Sequence, residues 1–249
     1  MPLPSAYIKN LYSTNKVAPP SLYLRVLRIA LLMAALWLAA WCLFTGVTYW
    51  RAHILAPKVA SWFAGGAIAG PVELKQAQQK LEQFESTLSF DANIKYSLAQ
   101  LYIVRGKSQS DRYYFDAARA TLNQAQALQP SYYQALALQV YLDDYYYGFN
   151  DTTHARLKQL LGLSPYEKKV QMLIGPVLVK RWFELSDELQ TMAKPLISSA
   201  LREAATKARL FEAMQQYNVV SPFTCCSPNR ETSAQLRVME ATTANAPHE

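Results

Sequence analysis

The chain of 249 residues has little of what covalent and metal chemistry requires. It holds three histidines and three cysteines. His53, His154 and His248 are far apart, and none stands in a constellation with serine, cysteine or carboxylate that suggests catalysis. The eight glycines form neither a phosphate-cradling loop nor a nucleophile elbow. These gaps argue against an enzyme, a cofactor and a metal, so no catalytic, cofactor-binding or metal-ligating residue is assigned. Three cysteines also make no disulfide framework. Cys42 lies in an apolar run, and a bond between the adjacent Cys225 and Cys226 would close a strained ring. Those two either pair across chains or stay as thiols.

Long basic tracts are missing too. A net charge of +7 and a pI near 9.2 would suit nucleic acid or anionic lipid. No basic run, however, exceeds two residues, as at Lys168-Lys169 and Lys180-Arg181. Solvated helix faces account for such scatter, and nucleic acid is not an expected partner. Asp143-Asp144 is the one prominent carboxylate pair; sequence neighbours point to different sides of a helix, so an exposed end is expected rather than an acid/base pair.

What the chain does have is one long apolar run, "IALLMAALWLAAWCLFTGVTYW", Ile29 to Trp50, without a charge. At about 1.5 Å per residue it crosses a bilayer's hydrocarbon. It is longer than a signal peptide's apolar stretch and carries bulky Trp37 and Trp41. Lys9, Lys16, Arg25 and Arg28 precede it, whereas Arg51 and Lys58 are the nearest cations after it. That bias places the N-terminus in the cytoplasm and the bulk of the chain across the membrane. In a bacterial inner membrane the main domain would be periplasmic. Beyond it, Gly65-Gly66, Gly70 and Pro71 punctuate a boundary. Trp62 and Phe63 either lie in the membrane interface or pack under the first soluble helix.

After Pro71 no segment alternates with period two, and a helical period fits throughout. Leu74, Ala77, Leu81, Phe84 and Leu88 form one stripe; Ile94, Leu98, Leu101 and Tyr102 form the next, with Gly106 placed just past its end. Ala118, Leu122, Ala125 and Leu128 or Gln129 follow, then Tyr133, Leu136, Val140 and Tyr141, with Gly148 at a C-cap position. Gly175-Pro176 should kink or split its helix. Ser186 is a fitting N-cap. Pro195 suits the first turn of a final helix with Ile197, Leu201, Ala204, Ala208 and Phe211 on one face. From Ser221 onward the composition predicts a disordered tail.

"ARATLNQAQALQP", Ala118 to Pro130, is echoed by "THARLKQLLGLSP", Thr153 to Pro165. The offset aligns Ala120 with Ala155, Leu122 with Leu157, Gln124 with Gln159, Leu128 with Leu163 and Pro130 with Pro165. These features resemble the tetratricopeptide repeat, a helical pair with small residues in its second helix and a closing proline. In that register "KSQSDRYYFD" is an insertion or a lengthened turn, and an unrelated helical bundle is the alternative.

The expected fold class is therefore all-α, a single transmembrane helix followed by a TPR-like helical-hairpin solenoid with a C-terminal capping helix. By residue this gives a disordered cytoplasmic segment (1-21), a transmembrane helix region (22-50), a juxtamembrane linker (51-71), the helical domain (72-218) and a disordered tail (219-249).

Sixteen tyrosines are the remaining peculiarity. Some fill gaps between helices; others would give a groove flat apolar faces with hydroxyl rims, suited to an extended peptide or a sugar chain. In the repeat that the chain resembles, first helices line the concave face. Helical spacing then nominates Asn93, Tyr96 and Gln100 of one helix and Gln134, Tyr141, Asp144 and Tyr145 of the next. In size and layout the chain is similar to small membrane-anchored accessory proteins of bacterial exopolysaccharide biosynthesis. That resemblance implies a scaffold that recruits other envelope proteins. The alternative is a translocon-associated, chaperone-like periplasmic protein, which shares the same plan.

Overall fold

The computed structural model describes residues 22–68 and 70–244, so the expected cytoplasmic segment 1-21 and His248 lie outside the described residues. The described chain contains ten α-helices and no strand, and it divides into two compact units between Val47 and Thr48.

The first unit is the leading part of α1 (Leu22–Phe63). Side chains from Leu22 to Phe44 are exposed, including Leu36, Trp37 and Leu38. Among the described residues α1 is the one helix long and apolar enough to cross a membrane. Its 42 residues are more than about 30 Å of hydrocarbon needs.

The second unit uses the rest of that helix. Residues 51-63, expected as linker, are helical and continue through Pro57. Ala52, Val59 and Trp62 are buried in a core shared with Leu74, Ala77 and Leu81. Trp62 thus packs under the first helix of the domain. After the turn at Gly65, α2 (Pro71–Thr87) opens with proline, whose missing N–H costs nothing there. Its predicted stripe, Leu74 to Leu88, is buried in full.

In α3 (Ala92–Gln109), Asp91 is the N-cap, accepting from the backbone N–H of Asn93 at 2.7 Å and of Ile94 at 3.3 Å. α3 packs against α2, α4 (Arg112–Leu128) and α5 (Tyr133–Leu142), which is why even Lys95, Gln100 and Arg105 are buried. Lys95 is neutralised by Glu85. No insertion separates α3 from α4. Gly106 lies inside α3, and the turn is Ser110-Asp111, with Ser110 left-handed at φ 53°. Gly106 is needed for the crossing: a Cβ there would stand 2.8 Å from the Phe115 ring.

α5 ends in a five-residue π-helical turn, Asp143–Tyr147, closed by Gly148 at φ 92°. α6 (Asp151–Leu163) repeats the burial pattern of α4. Leu122 and Leu157 are fully buried, while Leu128 and Leu163 are 47% and 45% exposed. Both helices stop shortly before their prolines, Pro130 and Pro165, as the steric restriction on the preceding residue requires.

α7 (Lys168–Arg181) runs through Gly175-Pro176 unsplit, and Gly175 lets Leu210 approach. Ser186 caps α8 (Asp187–Ala200), accepting from Leu189 N–H. The single final helix expected from Pro195 is instead two. Pro195 lies within α8, and α9 (Ala204–Tyr217) follows a turn. Ala204 and Ala208 are exposed; α9 buries Thr206, Leu210, Ala213 and Met214. Nor is the described tail disordered. A 3-10 turn, Ser221–Cys226, and α10 (Arg230–Ala244) bury Phe223, Leu236 and Met239.

Odd-numbered helices α3, α5, α7 and α9 pack each on the next, and α6 packs on α8, so hairpins stack. One core extends from α1 to α5 and another from α5 to α10, with Tyr141 and Leu173 packed against both.

Candidate functional site

Four of the nominated residues converge. With α3 started by Asp91, its first turns bring Asn93, Tyr96 and Gln100 to a pocket of about 700 Å³ that Gln134 also lines. Tyr132 completes the polar wall, and α1 supplies the facing one through Tyr49, His53, Ala56 and Pro57. Ala52, Ala56 and Ala60, four residues apart, give that wall its small side chains.

Hydrogen bonds hold the polar groups in place. Gln100 Nε2 donates to Tyr96 Oη at 3.1 Å. The Tyr132 hydroxyl lies 2.7 Å from Asn93 Oδ1 and 2.9 Å from Gln134 Oε1; with one proton it donates to one at a time. The Tyr96 and Tyr132 rings meet edge to face at 5.9 Å. Burial pushes the Tyr96 phenol up to about 12 and raises that of Tyr132 as well. Both therefore remain neutral hydrogen-bonding groups at any physiological pH.

The other three nominated residues lie elsewhere. Tyr141, Asp144 and Tyr145 line a smaller pocket of about 270 Å³ with Lys180 and Arg209. Gln134 and Tyr141 are about 10 Å apart along α5, and the π turn then redirects the chain. The seven residues thus divide four and three rather than lining one groove. Tyr141 and Tyr145 stack at 6.1 Å, and the Lys107 ammonium sits 5.0 and 4.7 Å from their centroids and 5.6 Å from that of Phe63. Lys107 also donates to Tyr141 Oη. Enclosure by these groups desolvates the ammonium and lowers its pKa.

Nor is the acidic pair an exposed end. Asp143 is 2% exposed and accepts from Arg119 at 2.7 Å, Arg156 at 2.6 Å and Thr153 Oγ1 at 3.2 Å. Asp144 pairs with Lys180 at 2.9 Å and Arg181 at 2.7 Å. The two carboxylates do diverge, as neighbours should: Asp143 reaches α4 and α6, and Asp144 reaches α7. Their arrangement is structural.

A shallower groove of about 790 Å³ between α9 and α10 is mostly apolar, with Ala208, Phe211 and Val238 in its walls. Its two amides, Gln215 and Gln235, have no phenol beside them, unlike those of the pocket at α1. Cys225 and Cys226 carry thiols 3.5 Å apart, one exposed and one buried.

Sequence reasoning missed Asp91, Tyr132, His53 and the small residues of α1 as parts of the site. The alanine spacing on α1 is a signal in the sequence, but the glycines and prolines of 51-71 mark a linker more strongly. No family model, curated protein or solved structure matches the chain.

Proposed function

We propose that the chain is a single-pass membrane scaffold, anchored by α1, whose stacked hairpins recruit components of a cell-envelope polysaccharide synthesis or export machine. The N-terminus is then cytoplasmic and the helical domain periplasmic in a bacterial inner membrane. Resemblance to tetratricopeptide repeats and to membrane-anchored exopolysaccharide accessory proteins supports this, and so do the flanking cations. The observation that carries it is the convergence of Asn93, Tyr96, Gln100 and Gln134 on one pocket, contributed by two different hairpins and faced by α1. The pocket's phenols and amides, which both donate and accept, support recognition as the role.

The test is photo-cross-linking in the native membrane from a probe at Gln134. Capture should weaken about thirtyfold in Tyr96→Ala, in keeping with the roughly 2 kcal/mol typical of a truncated aromatic anchor. It should persist in Lys75→Ala/Lys80→Ala, whose side chains lie on the exposed face of α2. Partners should be glycosyltransferases or export proteins; secretion-channel components would favour the chaperone-like alternative. Loss of capture in the lysine variant alone, with Tyr96→Ala folded and still binding, would replace the pocket by an electrostatic contact.

A further inference from the structure

Three properties of the pocket beside α1 narrow what it can hold. Its polar wall is neutral: Asn93, Gln100 and Gln134 are amides, Tyr96 and Tyr132 are phenols, and the single charges of Asp91 and Lys169 oppose each other. Each of those amides and phenols both donates and accepts. A ring of vicinal hydroxyls has the same dual character at every position, whereas a phosphate only accepts. Pro57, also in the lining, has no N–H to close the helical bond to the His53 carbonyl.

The third property is place. Tyr49 and His53 flank Trp50, the last residue of the apolar run, within one uninterrupted helix. In a membrane-spanning helix, tyrosine and tryptophan at the end of the apolar run sit at headgroup depth. A pocket that begins at Tyr49 therefore opens where lipid headgroups are concentrated. Its volume of about 700 Å³ falls within the range of small-molecule sites.

We propose that this pocket receives the uncharged, hydroxyl-rich headgroup of a membrane glycolipid, an inference that rests on the single-pass reading above. The sugar hydroxyls pair with Asn93, Gln134 and Tyr96, and the acyl chains stay in the bilayer alongside α1. Selectivity comes from the amides, exposed at Asn93, half-buried at Gln134 and buried at Gln100: a ligand that displaces their water without pairing with them leaves polar groups unsatisfied.

The experiment reconstitutes the full chain in phosphatidylcholine vesicles and labels it with a diazirine-bearing diglucosyl diacylglycerol. Unlabelled diglucosyl diacylglycerol should compete about tenfold or more better than phosphatidylserine. Asn93→Ala and Gln134→Ala, each retaining the helical circular dichroism of the parent, should lower labelling by about the same factor. Stronger competition by phosphatidylserine, or labelling indifferent to both substitutions, would overturn the proposal. So would equal competition by free maltose, which would point to a soluble sugar rather than a lipid-borne one. Carbonate extraction of the same vesicles separates the two levels of failure. A chain that stays inserted but ignores glycolipid removes this inference alone, whereas a chain washed off removes the single-pass reading too.

Discussion

Asp143 and Asp144 are adjacent in the chain yet close two separate ion-pair groups, Asp143 with Arg119 and Arg156, Asp144 with Lys180 and Arg181. Between them they tie the π turn after α5 to α4, α6 and α7. Both carboxylates are almost fully buried, at 3% and 8% side-chain exposure. Attraction is therefore strong, and so is the cost of leaving any member unpaired.

Asp143→Asn keeps the shape and removes the charge facing two arginines. Breaking a fully buried pair costs about 3–5 kcal/mol. Arg119 remains 37% exposed and can recover some hydration, so about 2–4 kcal/mol is expected. Lys158→Ala removes a pair with Glu188 in which both partners are exposed, and the change should stay below about 0.5 kcal/mol. Urea midpoints of the two variants decide this. Equal midpoints would mean that the acidic pair is no more than surface decoration.

Gly106→Ala sets two effects against each other. Alanine favours the helix by about 1 kcal/mol over glycine. The added Cβ, however, meets a Phe115 ring that is itself buried and stacked on Tyr146 at 4.2 Å, so the ring has little room to retreat. Overpacking of this kind costs about 1–3 kcal/mol, and the clash should win. The variant is expected to melt below the parent; a higher melting temperature would show that α3 and α4 are not pressed together at this point.

The alkaline limb of stability should be set by phenols. Burial raises the pKa of Tyr96, to about 12, and those of Tyr102, Tyr132 and Tyr147; Tyr102 also donates to Glu82 and Tyr147 to Asp116. A group whose folded pKa is raised stabilises fully below its unfolded value, here 10.0, and loses that contribution as pH climbs toward the folded value. Lys107 runs the other way. Its lowered pKa means that stability rises with pH until its unfolded value of 10.5 is passed. Four phenols against one ammonium should give unfolding above pH 10, with phenolate absorbance appearing in step with loss of helix. Phenolate that titrates near pH 10 in a still-folded domain would contradict the burial of these rings.

The legible parts of the fold were those written in local spacing. Leu74 to Leu88 showed its stripe directly, and the echo of Leu122 in Leu157 gave two helices with matching buried and exposed positions. The burial of Asp143 was not legible, because Arg119 and Arg156 approach it from other helices. α10 was hidden by its polar composition, although Thr232, Leu236 and Met239 are spaced to bury one face. Gly106 reads as a helix end in sequence because only the Phe115 contact reveals why a glycine is required there. Half of the pocket was visible as polar and aromatic residues on α3 and α5. Its other wall was missed because the apolar run and the helical domain share one helix, and nothing local marks where one use stops.

That shared helix carries the central proposal, that α1, long and apolar enough to cross a membrane, also forms part of a domain on the far side. Alkaline phosphatase fused after Glu249, expressed in a bacterial host beside a matching fusion to a reporter active only in the cytoplasm, tests it most directly. The account predicts an active phosphatase and a silent cytoplasmic reporter. A silent phosphatase with an active cytoplasmic reporter would contradict it.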